Sequence, residues 1–161
     1  MFDGIELFEV PINELLSNNG ILVMWTTNSC HVTNIVNDLM HHYALEIVVT
    51  WHWVKITKSG EPVTGFNPHH KVPFESFIIA CKSDYLDYYK KLTSEDFLII
   101  GTPSSIHSRK PPILPLFKDL NILNGEVTCL ELFGRYLLPN TITVGYEALK
   151  LQDIRYFIVQ K

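Results

Sequence analysis

Cysteine, long apolar runs and closely spaced glycines are all scarce in this chain of 161 residues. Cys30, Cys81 and Cys129 are odd in number, far apart and without a C-x-x-C pair, so neither a disulfide framework nor a zinc site is favoured. No apolar run exceeds five residues, as in Ile21 to Trp25, whereas a helix crossing a bilayer needs about 20. No two of the eight glycines stand as G-x-G, which removes the dinucleotide-binding fingerprint. Gly60 and Gly65 have the spacing of a phosphate loop, but Phe66-Asn67 follows where that loop needs Lys-Ser or Lys-Thr. The start, Met1-Phe2-Asp3-Gly4, lacks the basic residues and apolar centre of a secretory signal, so the expectation is an intracellular protein without a membrane partner. A net charge of −4 argues against a nucleic-acid binder of the basic-patch type. It leaves room for a groove with local cations, which cluster at Lys55 and Lys58, at His69-His70-Lys71 and at Arg109-Lys110.

With 47% hydrophobic residues the chain can fill one sizeable core, and a single domain over residues 1–161 is expected. Pro11 to Leu16 reads as a short helix with proline in its first turn. Ile21 to Thr27 suits a strand covered on both faces. Val32, Ile35, Val36, Leu39 and Met40 fall at helical spacing, so Ser29 to Tyr43 is predicted as an amphipathic helix over that strand. Leu45 to Thr57 is β-rich, and the polar Lys58 to Val72 is predicted as a long surface loop. Further strands are predicted at Phe77 to Cys81, Phe97 to Gly101, Val127 to Phe133, Ile142 to Val144 and Ile154 to Val159. Helices are predicted at Asp84 to Lys91 and Ile113 to Leu120. Strands alternating with helices imply a three-layer α/β sheet.

Four places bring together side chains suited to chemistry. Cys129 to Phe133 is a strand that stops at Gly134 and presents Arg135; ten residues on, Gly145-Tyr146-Glu147 returns an acid toward the same edge. Strand ends of open α/β sheets are where nucleotide-like ligands sit, and an Arg with a Glu suits a ribose and a charged tail. A plain turn explains the same residues. Ser104 to Pro112 packs hydroxyls, His107, Arg109 and Lys110 into a loop after a strand, with two prolines stiffening its exit. A lysine held there can pair with a carboxylate or phosphate for roughly 1.5–3 kcal/mol, although a solvated basic loop fits too. In Trp51-His52-Trp53-Val54-Lys55, alternation puts both indoles on one face with Lys55 and His52 on the other. The indoles are either core or a wall for a stacked nucleobase, worth about 1–3 kcal/mol per base. Glu75, after the polar loop, can accept from an exocyclic amine or serve as a rim charge. The adjacent His69 and His70 have no third ligand in view, so no metal is expected.

Trp25-Thr26-Thr27-Asn28, the Trp-His-Trp-Val-Lys run, His107-Ser108-Arg109-Lys110-Pro111-Pro112, and Glu131 to Arg135 with Leu138-Pro139 and Gly145 occur in this order. Together they resemble the N6-adenine methyltransferases related to the large catalytic subunit of the mRNA adenosine methyltransferase, most of all the methyltransferase-like four group. The likeness runs from about Ile5 to Phe157. It implies a Rossmann-like methyltransferase sheet, here without its N-terminal strands, S-adenosylmethionine as cofactor, and RNA or DNA with a target adenine as partner. By position it implies Lys110 on the methionine carboxylate, and Arg135 and Glu147 by the ribose with Phe133 beside them. Trp53, Lys55, Glu75 and His107 would lie on the substrate side. It also implies the nucleus and pairing with a related subunit. The family's Asp-Pro-Pro-Trp motif, which holds the adenine amine in line with the methyl donor, is absent; the chain reads as starting shortly after it. Tyr146 stands in place of an asparagine on the cofactor ribose, and Thr141 in place of a tryptophan. Positioning is most of methyl-transfer catalysis, so this polypeptide alone is expected to be silent, with a weakened cofactor site. Two expectations stay open: part of an adenine methyltransferase, or a non-catalytic paralogue acting as a nucleic-acid-binding or partner subunit.

Overall fold

The computed structural model describes residues 4–66, 71–105 and 109–150. The strand expected at Ile154 to Val159, as well as His69, His70 and His107, lies outside them. The chain divides into two compact units, residues 1–103 and 104–161.

The first unit is built on a four-stranded mixed sheet. Its strands are β1 (Ile21–Thr26), β2 (Leu45–Lys55), β3 (Phe74–Lys82) and β4 (Leu98–Gly101), in the order β1-β3-β2-β4. β3 runs antiparallel to both β1 and β2, and β4 runs parallel to β2. A 3₁₀ turn at Ile5–Glu9 and the short α1 (Ile12–Leu15) precede the sheet. Helix α2 (Cys30–His42) covers one face: Val36, Leu39 and Met40 bury against Leu45, Ile78 and Ala80, with Leu22, Met24 and Ile47 packed around them. The spacing that predicts this helix is thus the spacing that buries it. Tyr43, at its end, donates its hydroxyl to the carbonyls of Leu7 (2.8 Å) and Val10 (2.6 Å), pinning the N-terminal segment.

Helix α3 (Leu86–Leu92) lies against β2 on the other side, where Trp51, Phe77, Ile79, Cys81 and Tyr89 are buried. Trp51 donates its indole N–H to Ser94 O at 2.7 Å, so this buried aromatic keeps its one polar atom satisfied. Between Ile47 and Val49 the register of β2 against β3 slips by one residue. Leu45 and Ile47 face α2; beyond the slip the odd-numbered Val49, Trp51 and Trp53 face away from it, and Thr50 and His52 take their place. A bulge of this kind re-aims every later side chain of the strand.

β3 begins at Phe74, three residues before the predicted Phe77, because Phe74 to Ser76 pair with Val54, Trp53 and His52. The predicted Lys58 to Val72 loop also carries order. Ile56 bridges Pro62, and Thr57 N donates to Glu61 O (2.7 Å), which makes a small hairpin.

The second unit holds α4 (Ile113–Asp119), a parallel pair of β5 (Cys129–Leu132) with β6 (Thr141–Val144), and α5 (Tyr146–Lys150). β5 is shorter than the predicted Val127 to Phe133, because Phe133 already turns, with a left-handed φ of 60°. The residues expected as a turn at Tyr146-Glu147 open α5 instead.

Candidate functional site

In the first unit, strand pairing sets Trp53 directly opposite Glu75, and Lys55 two residues on reaches back across the strands. The Lys55 ammonium and the Glu75 carboxylate form an ion pair, each side chain about one quarter exposed. Lys55 Nζ also lies 5.1 Å from the centre of the Trp53 ring. Trp53 is only 4% exposed, with Trp25 edge-on to it at 6.3 Å. Of the two readings of the indoles, the burial is that of core: Trp53 is the floor under Lys55 and offers no bare face for stacking. Removal from water pushes the Lys55 pKa below its ordinary value. The cluster therefore presents a carboxylate acceptor and a cation at the rim of the sheet, over an aromatic base.

In the second unit the end of β5 and the start of α5 meet. Arg135 Nε donates to Glu147 Oε2 at 3.1 Å, both side chains partly exposed. This contact depends on two glycines. A Cβ on Gly145 would collide with the Gly134 carbonyl oxygen, and a Cβ on Gly134 would collide with the Thr143 side chain. The two turns touch backbone to backbone, held by Gly134 N donating to Val144 O at 3.1 Å. Phe133 is 69% exposed beside them.

Tyr136 joins the basic loop to the same corner. Its hydroxyl donates to Lys110 O at 3.4 Å, and the Arg109 guanidinium lies 5.5 Å from the centre of its ring. Tyr136 thus ties the Lys110 backbone to the residue next to Arg135. Tyr136 carries no motif by itself, and sequence reasoning missed it. Beneath, Glu131 sits in β5 with Thr143 Oγ1 at 3.5 Å from Oε2; burial raises its pKa, and the threonine hydroxyl opposes that more weakly.

The donor set of this corner fits a nucleoside with a charged amino-acid tail: a lysine for a carboxylate, and an arginine with a carboxylate for ribose hydroxyls. Among the described residues no three His, Cys, Asp or Glu side chains gather to hold a metal ion. His107 lies outside the described residues.

The family model for MT-A70 matches residues 1–147. This chain belongs to the MT-A70 family. Its relatives include a DNA N6-methyl methyltransferase of Caenorhabditis elegans, 36% identical over 154 residues, which cover 95% of this chain and 40% of that protein. The human N(6)-adenine-specific methyltransferase METTL4 is 36% identical over 96% of this chain and 34% of its own length. The N6-methyladenosine RNA methyltransferase MTA1 of Cryphonectria parasitica is 31% identical over 92% of this chain and 44% of its own length. This MT-A70 chain therefore spans well under half of the curated relatives it matches, and carries a mixed α/β portion of the family's domain.

Proposed function

We propose that residues 1–161 form one partial methyltransferase domain, the part of an N6-adenine nucleic-acid methyltransferase that binds cofactor and substrate base. The observation that carries this reading is the Arg135–Glu147 pair at 3.1 Å, tied through Tyr136 to the Lys110 backbone. In it Lys110 holds the carboxylate of S-adenosylmethionine, Arg135 and Glu147 hold its ribose, and Phe133 covers one side. Bound there, the cofactor supplies a methyl group made electrophilic by the sulfonium. The Lys55–Glu75 pair over Trp53 borders the target adenine, with Glu75 accepting from the exocyclic amine once Lys55 yields, and the family likeness gives His107 a substrate role. The relatives' printed activities on DNA and on RNA support the substrate class without choosing between the two nucleic acids.

Asp-Pro-Pro-Trp does not occur in residues 1–161, and in this reading the group that holds the amine in line comes from outside them. Nuclear residence follows the same reading. Tyr146, 78% exposed with Lys150 at 4.2 Å over its ring, favours a second reading, a non-catalytic binding subunit. Calorimetric titration of the chain with S-adenosylmethionine tests the first. Measurable heat is expected, with Lys110→Ala weakening affinity by about ten- to a hundredfold. Absence of binding, or affinity unchanged by Lys110→Ala, refutes the cofactor assignment. Activity with an active relative added, and its loss on Glu75→Ala with cofactor affinity intact, separates an enzyme half from a passive binder.

A further inference from the structure

A cleft of about 500 Å³ lies between the first half of α2 and the sheet face opposite Trp53. Its floor is apolar, from Val36, Ile47, Phe74 and Ile78. Its rim is polar, from Thr27, Asn28, Asn37, Thr50 and Ser76, and among the described residues no Asp, Glu, Lys or Arg lines it. Ser76 is a buried polar residue in this sheet, 6% exposed, and it organises the rim. Its hydroxyl donates to Asn28 Oδ1 at 3.3 Å and accepts from His52 Nδ1 at 2.9 Å. A hydroxyl has one proton, so giving it to Asn28 makes His52 Nδ1 the donor and fixes the imidazole tautomer. Thr26 donates to Ser76 O at 3.3 Å, closing the network. With its oxygen engaged, the exposed Asn28, which lines the cleft, keeps two amide N–H donors for a ligand.

An apolar floor with an aromatic ring, an uncharged rim and fixed amide donors select a flat, neutral, hydrogen-bonding ligand. Among the described lining residues a phosphate meets no cation. The volume is ample for a nucleobase, and the position is informative: Glu75 and Ser76 are consecutive in β3, so they point to opposite faces of the sheet. We propose that this cleft binds a second nucleobase, that of the nucleotide next to the target adenine, with Asn28 as the residue that reads its acceptor atoms. The proposal rests on the reading of Lys55 and Glu75 as the border of the target base, and it assigns sequence context to the other side of β3.

Cys30 lines the cleft and is exposed, whereas Cys81 is buried, so its alkylation reports occupancy. Iodoacetamide labelling followed by mass spectrometry is run with adenosine, uridine, a single-stranded adenine-containing trinucleotide, and ribose 5-phosphate. The trinucleotide and at least one nucleoside are expected to slow Cys30 labelling about tenfold at ten times their Kd, and ribose 5-phosphate is expected to leave it unchanged. Asn28→Asp keeps an acceptor for Ser76 but loses the amide donors, and is expected to abolish protection; its circular dichroism checks the fold. Unslowed labelling with every base-containing probe, or protection that survives in a folded Asn28→Asp, overturns the proposal. The cofactor titration above is independent: heat with S-adenosylmethionine but no Cys30 protection removes this cleft alone, and protection without heat removes the cofactor reading alone.

Discussion

Glu131 shows how much a single side chain in β5 determines. Burial raises its pKa, so within the window between the ordinary carboxylate value and the raised one the folded chain binds more protons than the unfolded chain. Stability is therefore greatest below that window and falls as pH rises through it. Glu131→Gln removes the titration while keeping a similar shape beside Thr143. The variant is expected to match the wild type near pH 4 and to be more stable at pH 7, as urea melts at the two pH values would show. A wild type whose stability rises steadily from pH 4 to 7, with the variant tracking it, contradicts the buried position. Nothing in Cys129-Leu130-Glu131-Leu132 signals this, because period-2 alternation gives no measure of how deep a half-buried strand sits. Lys55 and Glu75 were each visible as candidate charges; that they meet follows from pairing across 20 residues of chain, which side-chain spacing does not encode. Arg135 and Glu147, by contrast, were legible together because Gly134 and Gly145 mark the two turns that bring them close.

At the scale of elements, the bulge at Val48 decides which face of the sheet each later residue of β2 occupies. Val48→Ala keeps the extra residue and is expected to cost about 1–3 kcal/mol. Deleting Val48 would restore plain pairing, with Ile47 opposite Ala80 and Val49 opposite Ile79 and every other side chain kept on its own face, so the cooperative melt seen by near-ultraviolet circular dichroism is expected to persist. Loss of that melt in the deletion would contradict the pairing of Ile47 with Ala80 and Val49 with Ile79. The β5–β6 corner makes a matching prediction. Gly145→Ala puts a methyl into the Gly134 carbonyl, and the turns must part by more than a rotamer change can absorb. A lowered melting temperature and loss of S-adenosylmethionine heat are expected together, while Gly60→Ala, a glycine with open space around it but a φ of 89°, should cost stability without touching cofactor binding. Helix α2 and β1 were readable because one apolar period runs unbroken through each. The early start of β3 was hidden behind Pro73 and a polar stretch, and the bulge leaves no mark in Glu46-Ile47-Val48-Val49, where every residue but the first is apolar.

For the molecule as a whole, the two units differ in how their sheets are covered. β3 is paired on both sides, and Phe77, Ile79, Ala80 and Cys81 are shut off from solvent. β5 and β6 form a parallel pair of four residues each, with Ile142 60% and Val144 54% exposed. Parallel strands are ordinarily covered on both faces, and two strands alone are marginal in water. Amide hydrogen exchange should therefore be slowest at residues 77–81 and many times faster at 129–132 and 141–144. A ligand that binds only the folded corner adds about 2.7 kcal/mol at a hundred times its Kd, or roughly a hundredfold in protection. S-adenosylmethionine is thus expected to slow exchange at 129–132 and 141–144 and to leave 77–81 unchanged. The measurement separates two origins of order in the second unit. Protection at β5–β6 that equals the β3 core before any cofactor is added would mean that the short pair is stable by its own packing, and would leave Arg135, Glu147 and Lys110 as a surface cluster that needs no nucleoside to hold it. Slow exchange that appears only with the cofactor would make the ligand part of the fold, as expected of strands this short with their apolar side chains in water.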